Sequence, residues 1–434
     1  MSAGGERTGA RPVGQAKTDP GDPLDLRLVP AALLTWLVVI LGLTSGWPAA
    51  ALASGAALLA ALVAWGRTVR RRGRWAHGLL AAAGCVAAAG LVVAVNVAQV
   101  VRHPLRAAAT QGSAATVRVA ITGDPNPLLS AASDGYAGRQ AGATEVTIPA
   151  ELVSASSGSG RWTTGGRVLL IASRAEWASV LPGVELTASG LLTPATRADL
   201  TVAVLRVRGP PADPTEPPWW QRGADALRDG LRRAVGSALP ERSAQLLPGL
   251  AIGDTGTMSW TLREEFRATG LTHLVAVSGA NLVIVCGAVF GLLGLLRAGP
   301  RTRVVMALLA LVGFVLLARP SPSVLRAAVM GGVGLLAVLA GRRRPVIPAL
   351  AASVIGLLLV DPALGTDPGF ALSVLATAAL VVLAPPWAAR MKARGVPPGV
   401  AEALAVPVAA HLVTAPVVAG FAGQVSLVAV VTNL

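Results

Sequence analysis

The sequence is short of charge, cysteine and histidine. Only 14% of its 434 residues are Asp, Glu, Lys or Arg, against 53% hydrophobic. Soluble domains carry about 25% charged residues, so a soluble globular fold is excluded. The two cysteines, Cys85 and Cys286, both lie in apolar stretches. That placement removes a disulfide framework and any Cys/His metal spacing. The four histidines, His77, His103, His273 and His411, are too scattered for a metal motif. No nucleotide loop is present either: "GDTGTM" at 253–258 has glycines but lacks the Gly-Lys-Ser/Thr ending that grips phosphates. Neither metal nor organic cofactor is expected. Acid is also scarce, with 22 Asp and Glu facing 37 Lys and Arg for a net charge of +15.

What is abundant is apolar sequence. Mean hydropathy is +0.62, and several stretches approach the roughly 20 apolar residues needed to cross a hydrocarbon core. Spans are predicted at 28–45, 48–65, 77–100, 271–296, 304–318, 323–341, 346–360, 370–386 and 400–420, with a tenth cut short at Leu434. Basic clusters lie at 67–74, 297–303, 342–344 and 390–394. With a cytoplasmic amino terminus, every cluster falls on the cytoplasmic side, as the positive-inside rule requires. Orientation therefore accounts for most of the +15, and the charge alone does not argue for DNA binding. The expectation is a multi-pass protein of the cytoplasmic membrane, in contact with membrane lipids.

The same topology places 104–210 outside. Short β-prone runs such as "ATVRVAITG", "TEVTIPAELVSA" and "GRVLLIAS" recur there, punctuated by Gly, Pro, Ser and Asp. About five strands suit a small OB-type barrel, with a β-sandwich fragment as the alternative. The fold class is thus mainly α: a polytopic helical membrane protein with an inserted extracytoplasmic OB-like domain. Nine Arg face seven acids in the insert. Arg161, Trp162, Arg167, Arg174 and Trp177 are its candidate contacts to a single strand, though a Trp in a small barrel is also ordinary core. Around it the chain divides into a disordered cytoplasmic tail (1–27), about three spans (28–103), a linker with amphipathic interfacial helices (211–268), and a membrane domain (269–434). In 219–239, Trp220, Ala224, Leu227, Leu231, Ala234 and Ala238 recur at helical spacing with Arg and Asp opposite. That pattern suits a helix lying in the membrane interface, or one packed on the barrel.

Four ordered motifs carry a resemblance: "FRATGLTHLVAVSGANLVIV", "PSVLRAAVM", "VDPALGTDPGFALSVLATAAL" and "APVVAGFAGQVSLVAVVTNL". Together they are similar to the membrane domain of the ComEC competence family, over roughly 28–434. The resemblance implies an inner-membrane channel admitting single-stranded DNA during natural transformation. It also implies contact with other DNA-uptake proteins and a cytoplasmic motor, and it admits a homo-oligomer. Many members add a metallo-β-lactamase-like domain. No His-x-His-x-Asp cluster occurs in this sequence, so nuclease activity is not carried over and no enzyme is expected. Some members have a disulfide in the OB-like domain, whereas this insert has no cysteine. The chain stops inside an apolar stretch, so the membrane domain is expected to be incomplete at its C-terminus.

Within the spans, polar residues are costly and face protein or water rather than lipid. Ser278 and Asn281 share a helix face, either lining a polar path or bridging helices. His273 lies about 80° round from Asn281. Arg326, one turn into its span, is read as a phosphate-attracting charge or as snorkelling to headgroups, with Asp361 as its expected ion-pair partner. Asp367 is read as turn chemistry. Gln424 and Asn433 are candidates to bridge helices or touch a polar substrate. His273, Arg326, Asp361 and Gln424 are expected on the outer side as a polar vestibule that narrows along Ser278 and Asn281, and with Asn433 these are the seven channel-lining or vestibule candidates. The rival readings are a transporter of another polymer or solute, an inactive fragment, and an intramembrane enzyme using His273 and Ser278. The last is disfavoured because a five-residue offset sets the two about 140° apart.

Overall fold

The structure, a computed structural model, describes residues 25–70, 74–128, 144–158, 160–269, 271–275, 279–339 and 346–422. In chain order the helices are α1 (Val29–Ser45), α2 (Trp47–Arg70), α3 (Arg74–Arg102) and α4 (Pro104–Thr110). Strands β1 (Ala114–Ile121), β2 (Asn126–Pro127), β3 (Glu145–Ser157), β4 (Gly160–Trp162) and β5 (Arg167–Ser173) follow. A single turn, α5 (Arg174–Trp177), leads to β6 (Glu185–Pro194) and β7 (Thr201–Val207). Next come α6 (Trp219–Ala238), α7 (Glu241–Ile252), α8 (Trp260–Ala268), α9 (Thr272–Val275) and α10 (Gly279–Leu295). The remaining helices are α11 (Pro300–Ala318), α12 (Pro322–Leu339), α13 (Val346–Val360), α14 (Pro368–Val382), α15 (Ala384–Ala393) and α16 (Pro398–Ala422), with a 3-10 turn at Pro362–Thr366.

Among the described residues, six helical stretches are long and apolar enough to cross a membrane: Trp47–Gly66, Gly78–Arg102, Pro300–Ala318, Pro322–Leu339, Pro368–Ala393 and Pro398–Gly420. Among the described residues, three apolar helices are shorter: α1 and α13 coincide with the expected spans 28–45 and 346–360, and α10 covers only the latter part of the span expected at 271–296, which α9 precedes. Small residues let the first three helices approach closely. A Cβ added to Gly42 would lie 2.8 Å from the Ala50 Cβ, and one on Gly90 would lie 2.9 Å from the Ser54 Cβ. Ser54 donates to the Ala87 carbonyl at 2.7 Å. Close backbone approach through Gly, Ala and Ser is how helices gain packing where no hydrophobic drive separates them from lipid.

The β runs fold as one mixed seven-stranded sheet. In β1 and β5, alternate side chains turn inward, the period-two pattern of a half-buried strand. β1 pairs antiparallel with both β3 and β6, β3 with β5, and β6 with β7, while β5 and β7 run parallel. The pairings therefore pass β1–β6–β7–β5–β3 and return to β1. Val117, Val119, Ile148, Leu170, Leu186, Leu192 and Leu205 fill the interior. Gly190 is needed where β6 crosses β7, because an added Cβ would overlap the Arg206 carbonyl.

The short helix α4 joins this core through Leu105, Ala108 and Ala109. His103 caps it: Nδ1 accepts from the Leu105 N–H at 3.3 Å, and Nε2 lies 3.0 Å from the Thr164 hydroxyl. With Nδ1 accepting, a neutral ring carries its proton on Nε2 and donates to Thr164. The last turn of the α3 segment is thereby tied to the sheet.

Candidate functional site: the junction of sheet and helices

Two loops of the sheet rest on the helices. The turn after β1 carries Asp124, which meets Arg319, the residue ending α11, at 3.1 Å, and Arg228 of α6 at 3.1 Å. Arg228 also lies 3.8 Å from Asp254, in the turn after α7, and Arg232 holds that carboxylate at 2.6 Å and Asp229 at 2.7 Å. Arg319 donates to the Gln221 side chain as well. Burial pushes the Arg319 guanidinium below the usual arginine range, opposed by Asp124. Burial pulls Arg232 the same way, but Asp254 and then Asp229 outweigh it and hold its pKa above the ordinary value. Three carboxylates and three guanidiniums thus bind four chain segments.

The second loop, between β6 and β7, reaches the 3-10 turn after α13. The Thr366 hydroxyl donates to the Ala198 carbonyl at 2.8 Å, and Leu200 is buried with the residues of the helical core. Beside it, Arg167 of β5 pairs with Asp361 at 2.9 Å. The sheet therefore contacts the C-terminal ends of α3, α11 and α13. The same three helices begin beside basic residues: Arg74, Arg301 with Arg303, and the cluster at 342–344.

α6 is turned about in an unusual sense. Ala224, Arg228 and Val235 face the protein. Trp219, Trp220 and Leu227 point away and are 74%, 44% and 66% exposed. Its buried arginine belongs to the junction, while Trp219 and Leu227 of its apolar face stand largely exposed.

Arg326 is buried at 7% exposure, but the ion pair with Asp361 is not formed. Asp361 instead pairs with Arg167 and caps the 3-10 turn by accepting from the Ala363 N–H at 3.1 Å. An Asp at a span end is satisfied by whichever cation reaches it first, and the folded-back sheet brings Arg167. Arg326 donates from Nε and Nη2 to the Ser373 hydroxyl of α14 at 2.9 and 2.6 Å, and its Nη1 lies 3.1 Å from the Met330 sulfur. Asp367 caps α14 through the Phe370 N–H at 2.7 Å, the turn chemistry expected of it. Asn281 donates to the carbonyls of Leu250 and Ala251 at 2.7 and 3.3 Å, which ties α10 to the end of α7. His273 lies on α9, and its side chain is outside the described residues, as are Ser278, Gln424 and Asn433.

The expected strand-binding set is dispersed. Trp177 is fully buried in the sheet core, and its indole donates to the Gly209 carbonyl at 3.0 Å. It offers no face to a base. Arg167 is taken up by Asp361. Arg161 is exposed and Trp162 half-buried on β4, beside the C-terminal end of β3. Arg174 is exposed past the end of β5, where its backbone N–H meets the Thr144 carbonyl. Ten residues of β3 separate these ends, about 33 Å of strand. Residues not singled out from the sequence, Asp124, Arg228, Arg232, Asp254, Arg319 and Ser373, form the polar contacts. Among the described residues, no cluster of His, Cys, Asp or Glu has the makings of a metal site.

These features define a multi-pass helical membrane protein with a mixed β-sheet seated on its helices. Residues 250–434 match the family model described as Competence protein, and the chain carries a domain of that Competence protein (ComEC) family. A stretch of 157 residues is 31% identical to ComE operon protein 3 of Bacillus subtilis (strain 168), covering 36% of this chain and 20% of that protein. The match thus spans one fifth of that relative's length. No solved structure matches the chain.

Proposed function

We propose that this chain is part of a cytoplasmic-membrane channel that admits single-stranded DNA, with the sheet as an OB-like domain on the outer face. The observation that carries the reading is the seating of the sheet. It rests on the C-terminal ends of α3, α11 and α13, whose other ends lie beside basic clusters. Basic clusters remain in the cytoplasm, so the sheet faces outward. The return of the pairings to β1, with β5 parallel to β7, supports an OB-like closure. In such folds, the loops after the first and fourth strands flank the ligand face. With β1, β3, β5, β6 and β7 counted as the five strands of such a fold, those loops carry Asp124 and Ala198, which supports a ligand face beside the helix ends.

The apolar stripe of α6 lies on lipid at the outer interface, where Trp is favoured. Other DNA-uptake proteins and a cytoplasmic motor complete the pathway in this proposal, and the motor supplies the energy.

The test is binding of fluorescent oligothymidine to the chain in lipid nanodiscs. Binding is expected to be weak, to prefer single strands over duplex, and to fall as salt rises because phosphate contacts release counterions. A tight complex insensitive to salt, or a preference for duplex, would overturn the reading.

A further inference from the structure

Arg326 is a buried cation that, among the described residues, no carboxylate of the junction neutralises. Its position is fixed on α12, four residues past Pro322 and so about 6 Å from the start of that helix. Ser373 lies five residues past Pro368, about 7.5 Å along α14. Both helices begin on the side that carries the sheet, since α12 follows Arg319 directly and α14 follows the 3-10 turn that holds Ala198.

The surroundings are apolar. Leu325, Val329 and Met330 pack against the cluster that includes Phe370 and Val374. Arg319, seven residues earlier, has Asp124 at 3.1 Å. Among the described residues, Arg326 has no carboxylate within ion-pair distance. A guanidinium has five N–H donors, yet its described acceptors are one hydroxyl and one thioether. A thioether is a weak acceptor. Taking a cation out of water without a counter-charge is costly, and in membrane segments such residues mark the paths of charged substrates.

Ser373 adds chemistry of its own. Its oxygen accepts from two guanidinium nitrogens, so its hydroxyl hydrogen is free to donate in another direction. The planar fork of Arg326 and this hydroxyl together present donors and no acidic group, the arrangement that suits a phosphodiester oxygen.

We infer that Arg326 and Ser373 form a phosphate subsite between α12 and α14, one helical turn in from the sheet-bearing end, where the backbone of a transported strand is held. The inference rests on the DNA reading above and names the group that meets the substrate charge.

The experiment measures oligothymidine affinity as a function of salt for the chain in nanodiscs. For single strands, the slope of log K against log salt changes by about 0.7 for each phosphate neutralised. R326Q is expected to make the slope shallower by about that amount. R326K, which keeps a charge but loses the fork, is expected to retain the slope with several-fold weaker binding. S373A removes one donor and is expected to leave the slope intact while weakening binding a few-fold. R326K also controls for folding, since loss of structure would abolish binding in both Arg326 variants. If wild-type protein binds with a salt slope that R326Q leaves unchanged, the subsite is wrong and the channel reading survives. If R326K also loses the 0.7, the charge does not act on phosphate and the subsite is equally wrong. If wild-type protein shows no salt-dependent binding at all, the DNA reading fails and the subsite with it.

Discussion

Arg319 and Asp124 meet at 3.1 Å although 195 residues separate them. One closes a membrane-length helix and the other sits in the first turn of the sheet. The contact is one side of a network in which Asp254, only 3% exposed, serves Arg232 and Arg228 together. An ion pair of this kind adds little net stability, because both charges lose their water. Its value is geometric: Asp124 meets both of its partners only when sheet, α6 and α11 are in place, and Asp254 ties α6 to the turn after α7.

Removing one partner is therefore more damaging than the pair is stabilising. Asp254→Asn leaves Arg228 and Arg232 facing a neutral amide and should lower stability by about 3–5 kcal/mol. Unfolding in detergent micelles measures this. Arg118→Gln, whose partner Glu185 is 43% exposed at the side chain, should cost under about 1 kcal/mol by the same assay. Equal losses would show that the junction is not buried in the folded protein.

The two tryptophans of the insert should part company. Trp177→Ala opens a cavity in the sheet core and should destabilise by about 3–5 kcal/mol. Trp162 is half-buried on β4, so its replacement should cost less and leave the sheet folded. Hydrogen exchange of the β1, β3 and β6 amides distinguishes them, with protection lost only for Trp177→Ala.

Orientation has its own test. Gly158, at an exposed turn with open space around it, accepts a cysteine once Cys85 and Cys286 are replaced. Gly158→Cys should react with a membrane-impermeant reagent in wall-stripped cells, whereas Arg72→Cys should react only after permeabilisation. The reverse pattern would invert the topology and place the sheet in the cytoplasm.

Among the described residues, the nine apolar helical stretches, the β insert and the amphipathic α6 were legible because each rests on local periodicity. Apolar runs and period-two alternation do not depend on what the rest of the chain does. The partners were not legible. Asp361 is near Arg326 in sequence order and in expected depth, yet the fold delivers Arg167 from β5, and no local pattern encodes that encounter. The periodicity of α6 sets its Arg and Asp opposite the apolar stripe, a pattern that suits the membrane interface or packing on the sheet, and it does not encode that Arg228 is buried. The network of Asp124 and Asp254 draws it inward instead and leaves Trp219 and Leu227 outside. Trp177 and Trp162 look alike as residues in β-prone sequence, and only the packing of α5 against β3 and β5 buries one of them. Ser373, a lone hydroxyl in "GFALSVL", gave one weak signal: a polar side chain in an otherwise apolar run needs a partner.

The most direct measurement follows the strand itself. Met330 touches Arg326, while Leu336, further along the same helix, is 54% exposed on the apolar surface. A photo-crosslinking residue is placed at 330 or at 336 in cells importing radiolabelled DNA through a channel built with this chain. Irradiation during uptake should attach label to the protein from position 330 and not from 336. Import that proceeds normally with no adduct at 330, or with equal adducts at both positions, would contradict a path for DNA between α12 and α14.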